Sequence, residues 1–78
     1  MADRVILVTG GGSGIGRASA RRLAKDGAAV MVADRDAAGG QAAVAEIVAV
    51  GGTAQFIALD VTDEENVRAA VAATIAAF

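Results

Sequence analysis

Three short runs rich in branched aliphatic residues, at positions 4–9, 28–34 and 53–59, alternate with longer stretches whose apolar residues fall at helical spacing. This pattern predicts the order β-α-β-α-β-α. The first helix is expected to start near Ile15, to bury a face made of Ile15, Ala18 and Leu23, to fit the small Ser19 against a neighbouring strand, and to stop at Gly27 in a left-handed cap. Val44, Ile47 and Val48 define the face of the second helix. Gly39-Gly40 weaken its start by about 1 kcal/mol per glycine relative to alanine, and Gly51-Gly52 end it. The third run, with Gln55-Phe56-Ile57-Ala58-Leu59, reads as a strand covered on both sides of a parallel sheet. Thr62 is expected to open the last helix through the capping box Thr62-Asp63-Glu64-Glu65, and Val67, Val71, Ile75 and Phe78 form its apolar face. Right-handed crossovers would put the three parallel strands in one sheet, with the first strand at an unpaired edge.

Composition narrows the function. A chain of 78 residues holds one domain at most, and its core will be thin. It has no cysteine and no histidine, which removes disulfides, thiol nucleophiles and imidazole metal sites. A reducing, cytoplasmic setting fits this. Net charge is −2, and the basic residues Arg4, Arg17, Arg21, Arg22, Lys25, Arg35 and Arg68 are dispersed, so no field suited to nucleic acid emerges. Alanine supplies much of the 55% apolar content, and no run approaches the roughly 18 apolar residues needed to cross a bilayer. Neither nucleic acid nor membrane is expected as a partner, and the N-terminal residues lack the pattern of a secretory signal.

The candidate chemistry sits between the first strand and the first helix, in Thr9-Gly10-Gly11-Gly12-Ser13-Gly14-Ile15-Gly16. A tight βα turn often needs one glycine with positive φ whether or not anything binds. Glycines at 10, 14 and 16 exceed that need. Missing Cβ atoms let phosphate oxygens approach the backbone, and a helix N-terminus behind a strand presents N–H groups to an anion. The loop does not fit G-x-G-x-x-G in any register, and no lysine follows it as in a Walker loop, so ATP chemistry is disfavoured.

The spacing Thr-Gly-x-x-x-Gly-x-Gly resembles the glycine motif of the classical short-chain dehydrogenases/reductases. The resemblance continues at the ends of the next two strands, so it spans nearly the whole chain. Asp34 closes the second run at about the 20-residue spacing expected of a ribose-binding acid. Asp60-Val61, after the third run, resembles the family's Asp-Val or Asp-Leu pair that holds adenine. Each carboxylate also has a purely structural reading: Asp34 could cap the turn into Arg35-Asp36, and Asp60 could begin the turn that leads to Thr62.

The resemblance implies an α/β, Rossmann-type three-layer fold with a parallel sheet, of which residues 1–78 form the N-terminal half. It further implies a pyrophosphate held by Gly14, Gly16 and the backbone of Ser13 and Ile15. Gly10 would permit the turn, Gly12 would lie within the loop, Thr9 would fix it, and Asp34, Asp60 and Val61 would meet the adenosine. A carboxylate at 34 would repel the 2′-phosphate of NADP, so NAD is expected over NADP. Arg35 argues the other way, because some relatives pair a basic residue there with that phosphate.

Relatives carry an Asn-Asn-Ala-Gly segment, a catalytic serine and a Tyr-x-x-x-Lys pair beyond this region. None of these is found here: tyrosine is absent, the one lysine is Lys25, the one asparagine is Asn66, and Ser13 and Ser19 lie in the cofactor region. The resemblance therefore implies the front part of a larger homo-oligomeric oxidoreductase acting on alcohols or ketones by hydride transfer, with no catalytic residue of its own here. Taken alone, the chain is expected to be inactive and to bind NAD weakly or not at all. A non-catalytic dinucleotide sensor or a self-associating structural piece is the alternative.

Overall fold

The structure, a computed structural model, describes residues 4–10, 12, 14–60 and 62–78. Its elements run β1 (Val5–Thr9), α1 (Gly14–Lys25), β2 (Ala29–Asp34), α2 (Ala37–Ala49), β3 (Thr53–Ala58) and α3 (Glu64–Ala77). The three strands are parallel in the order β1-β2-β3, with Val5 opposite Ala29 and Ala29 opposite Thr53. Asp34 therefore lies beside Ala58, and Thr9 beside Ala33, so all three strands end together. The expected order and the edge position of the first strand are both observed.

Alternation along the central strand divides its side chains between two faces. Val30 and Val32 pack with Ala20 and Ala24 of α1 and with Ala43 and Ile47 of α2. Ala33 turns the other way, into a smaller cluster with Leu59 and Ala70 of α3, flanked by Leu7, Ile57 and Val67. The result is a Rossmann-like α/β unit of three parallel strands between helical layers.

The predicted helix faces are right for Leu23, Val44, Ile47 and Val67, which pack against the two clusters, and need correction elsewhere. In α1 the buried residues are Ala20 and Ala24, while Ile15 is 87% exposed and Ala18 and Ser19 are also exposed. In α2 they are Gly40, Ala43 and Ile47, with Val44 half-buried and Val48 exposed. In α3, Ala70 and Thr74 face inward while Val71 and Ile75 face outward, as does Phe78 just past its end. One tendency runs through the helices: close approach to the sheet favours small contacting side chains, so alanine and glycine make most of the contacts, with Ile47 of α2 the large aliphatic exception. Thr74 is accommodated inside because its hydroxyl donates to the Ala70 carbonyl at 2.7 Å.

Strand β3 also differs from expectation. It is half-buried, with Thr53, Gln55 and Ala58 exposed, because it is the other edge of the sheet. The cap of α3 is Asp63, not Thr62: the Asp63 carboxylate accepts from the N–H groups of Glu65 and Asn66. The Thr62 hydroxyl is drawn to Asp60 instead.

Two helix ends match the sequence closely. Gly27 (φ +97°) and Ala28 donate to the carbonyls of Ala24 and Leu23, and Gly51 (φ +86°) and Gly52 donate to those of Val48 and Ile47. Both are paired-bond terminations that place a left-handed glycine just past the last turn. Gly39 and Gly40 lie inside α2 without breaking it. Asp36 caps the helix by accepting from Gly39 N–H at 3.1 Å, and a Cβ on Gly40 would overlap Cε1 and Cδ1 of Phe56. Glycine at 40 is required by the packing of that ring.

Candidate functional site

The carboxyl ends of the three strands bring Thr9-Gly10, Asp34-Arg35 and Leu59-Asp60 to one edge of the sheet. A cleft of about 300 Å³ opens among Thr9, Gly10, Ala33, Asp34, Arg35 and Leu59. A larger one, about 880 Å³, lies between the C-terminal ends of α1 and α2, lined by residues that include Arg21, Lys25, Glu46 and Val50. Volume favours the second and chemistry the first. Ligands of open parallel sheets bind beyond the carboxyl ends of the strands, where the glycine loop is, whereas the larger cleft faces the helices' negative C-terminal ends.

Gly10 has φ +67° and Gly14 has φ +53°, conformations costly for any residue with a Cβ. A Cβ built on either would meet nothing within 4 Å, so their constraint is conformational and their outer surface is open. Gly12 is different. It is buried, and a Cβ there would lie 2.8 Å from the Gly40 nitrogen and 2.9 Å from Asp34 Oδ2. Its N–H donates to Asp34 Oδ2 at 2.9 Å. Gly16 is in the first turn of α1, half-buried, and Ile15 beside it points to solvent. Ser13 and Val61 lie outside the described residues, as does Gly11.

Asp34 sits at the last position of β2, half-buried. Its Oδ1 accepts from Asp36 N–H at 2.9 Å, while the N–H of Leu59 donates to its carbonyl at 3.0 Å. The N–H groups of Asp36 and then Gly12 hold its carboxyl below the usual range, outweighing partial desolvation. It is a carboxylate at neutral pH. Asp60 accepts the Thr62 hydroxyl at 2.6 Å and the Thr62 N–H at 3.0 Å, both at Oδ1. These bonds lower its pKa, and the positive charge of Arg35 adds to the effect. The turn-forming reading of Asp60 is thus observed. Arg35 is exposed on the cleft rim.

Several contributors escaped the sequence reading. Gly39 and Gly40 flank the loop: a Cβ on Gly39 would lie 2.5 Å from the Gly12 carbonyl oxygen. The signal was there, as two glycines just behind an aspartate cap in a helix that starts at the ligand edge. Asn66 accepts the Asp60 N–H at 3.2 Å and so ties that strand end to α3. Arg17, which follows the last loop glycine, bonds to Glu46 of α2, and Arg21 reaches the same carboxylate at 3.1 Å. Among the described residues there is no group of His, Cys, Asp and Glu able to hold a metal ion, and no helix is long and apolar enough to cross a membrane.

A parallel α/β unit with a glycine-rich strand-to-helix turn and acidic strand ends is the build of a nucleotide-binding half-sheet. The sequence profile of the short chain dehydrogenase family matches residues 4–78, and the chain belongs to that family. It is 47% identical over 78 residues to 2,5-dichloro-2,5-cyclohexadiene-1,4-diol dehydrogenase LinX of Sphingobium indicum, a match that spans 100% of this chain and 31% of that protein. A solved dehydrogenase/reductase from Sinorhizobium meliloti superposes with a TM-score of 0.95 at 44% identity, covering 99% of this chain and 31% of the other. A metagenomic short-chain oxidoreductase in complex with NADP superposes with a TM-score of 0.92 at 38% identity, over 99% of this chain and 35% of that one. The chain thus spans about a third of the length of the relatives it matches.

Proposed function

We propose that residues 1–78 are the N-terminal part of a Rossmann domain that binds the adenosine and pyrophosphate portions of a nicotinamide dinucleotide, NAD over NADP, for an oxidoreductase. The observation that carries this reading is the convergence of the open, left-handed Gly10 with an ionised Asp34 on one cleft, beside a helix that begins at a second open, left-handed glycine, Gly14. Gly14, Gly16 and the backbone of Ser13 and Ile15 would supply N–H groups and the α1 N-terminus to the pyrophosphate. Thr9 would anchor the loop at its strand end. Asp34 would accept the ribose hydroxyls, and Asp60 with Val61 would border the adenine, the Asp60 turn setting the shape of that edge. When bound, the cofactor supplies hydride exchange with an alcohol or carbonyl carbon. This chain's residues would bind and orient its adenosine end, with proton transfer left to residues outside this segment, in a cytoplasmic enzyme.

One solved relative is in complex with NADP, so the choice of cofactor rests on residues 34 and 35 of this chain. A carboxylate whose proton affinity is already reduced by two backbone N–H groups would stay charged and oppose a 2′-phosphate. Titrating the intact protein with each dinucleotide tests the reading. NAD should bind more tightly than NADP; tighter NADP binding removes Asp34 from its role, and binding of neither removes the cofactor reading itself.

A further inference from the structure

We propose that Asp34 is a latch for the phosphate loop as well as a reader of the ribose, so that one carboxylate couples the shape of the loop to the sugar it recognises. This rests on the cofactor reading above. Its two oxygens are used separately: Oδ2 accepts from Gly12 in the loop, and Oδ1 accepts from Asp36, the cap of α2, each at 2.9 Å. The carboxylate therefore bridges the loop and the start of the helix, and on that same side Gly12 packs against Gly39 and Gly40, where a Cβ on Gly12 would lie within 3.0 Å of Asp34, Gly39 and Gly40 alike. The Gly12 N–H is committed to Asp34, so it organises the loop and leaves the ligand to the amides beyond it.

A residue that only reads ribose and one that also latches the loop make opposite predictions for a ligand without a sugar. Removing a negative charge beside an anion site strengthens anion binding by Coulomb's law. Removing the partner of a buried loop amide weakens it, because the loop loses the bond that fixes its shape. The sign of the change separates the two.

The probe is inorganic pyrophosphate, titrated into the cofactor-free intact protein and its Asp34→Ala and Asp34→Asn variants, with amide hydrogen exchange at Gly12 followed by NMR. Asp34→Ala should weaken pyrophosphate about tenfold and speed Gly12 exchange by a similar factor, the scale of a lost hydrogen bond to a charged group. Asp34→Asn keeps a carbonyl oxygen for Gly12, so it should fall between Asp34→Ala and wild type in both measurements. Pyrophosphate bound as tightly or more tightly by Asp34→Ala, or Gly12 exchange unchanged, overturns the latch. If Asp34→Ala does not fold, Asp34→Asn decides alone: faster Gly12 exchange than wild type supports the latch, and equal exchange overturns it. Wild-type protein that binds neither pyrophosphate nor dinucleotide would remove the cofactor reading, while the exchange rates would still decide whether Asp34 holds the loop.

Discussion

The two faces of this sheet are built to different standards. Under α1 and α2, Val30, Val32, Ala20, Ala43 and Ile47 are each at most 1% exposed, and Phe56 lies in the notch that Gly40 leaves for it. Under α3 the buried cluster is Ala33, Leu59 and Ala70, and the helix keeps Val71, Ile75 and Phe78 at the surface. Ion pairs follow the same division. Arg17 and Arg21 bind Glu46 across α1 and α2, whereas Arg68 and Glu64 pair within α3 at 3.4 Å and tie it to nothing else. The well-packed face is also the one that fixes the loop, because Gly12 rests on the first turn of α2. Rigidity and the ligand edge share one set of contacts.

The largest effect that sharpens this contrast should come from Ile47→Ala. Ile47 is 1% exposed and sits where α2, β2 and α1 meet, so truncation should cost about 2–5 kcal/mol by chemical denaturation. Val67→Ala, half-buried against the α3 cluster, should cost about 1 kcal/mol. Equal costs would erase the difference between the faces.

Gly40→Ala comes next, and here two effects oppose each other. Alanine in a helix interior is favoured over glycine by about 1 kcal/mol. The added Cβ would overlap the Phe56 ring, and overpacking of that kind costs about 1–3 kcal/mol. Overlap with two ring atoms wins, so thermal unfolding should show net destabilisation. A stabilised Gly40→Ala protein would mean that Phe56 is not held by this notch.

Much of this architecture was legible because it depends on local rules. Strand ends fell within a residue of the observed ones, since branched aliphatic runs and parallel pairing leave little choice. Gly27 and Gly51 ended α1 and α2 because only glycine enters the left-handed region without strain. The helix faces were legible only in part: Leu23, Val44, Ile47 and Val67 pack inward as expected, but Ile15, Ala18, Val48, Val71 and Ile75 do not. Periodicity of bulky residues pointed to Ile15 and to Val71, but close approach to a sheet selects Ala20, Ala24 and Ala70, and in an alanine-rich chain that signal has no contrast. The cap of α3 was misplaced by one residue because Thr62 and Asp63 are both good caps, and the Asp60 carboxylate takes the threonine. At the ligand edge, Asp34 could be placed at its strand end from spacing alone. Its bond to Gly12 could not, because a contact between residues 22 apart depends on how α2 meets the loop.

The smallest expected effect concerns Glu46, whose carboxyl is held below its usual range by the Arg17 hydrogen bond first and by Arg21 as well. A depressed folded-state pKa means that the stabilisation is fully present above the ordinary glutamate range and fades as pH falls through the lowered value. The groups are partly exposed, with side-chain exposures of 37% for Arg17 and 33% for Glu46, so salt will screen them. Glu46→Gln should therefore lower the melting temperature slightly at neutral pH and low ionic strength. Its difference from wild type should shrink as salt is added and vanish in acid. A difference that ignores both salt and pH would assign Glu46 to packing. The cross-helix ion pair would then have no part in setting the well-packed face apart from the one under α3.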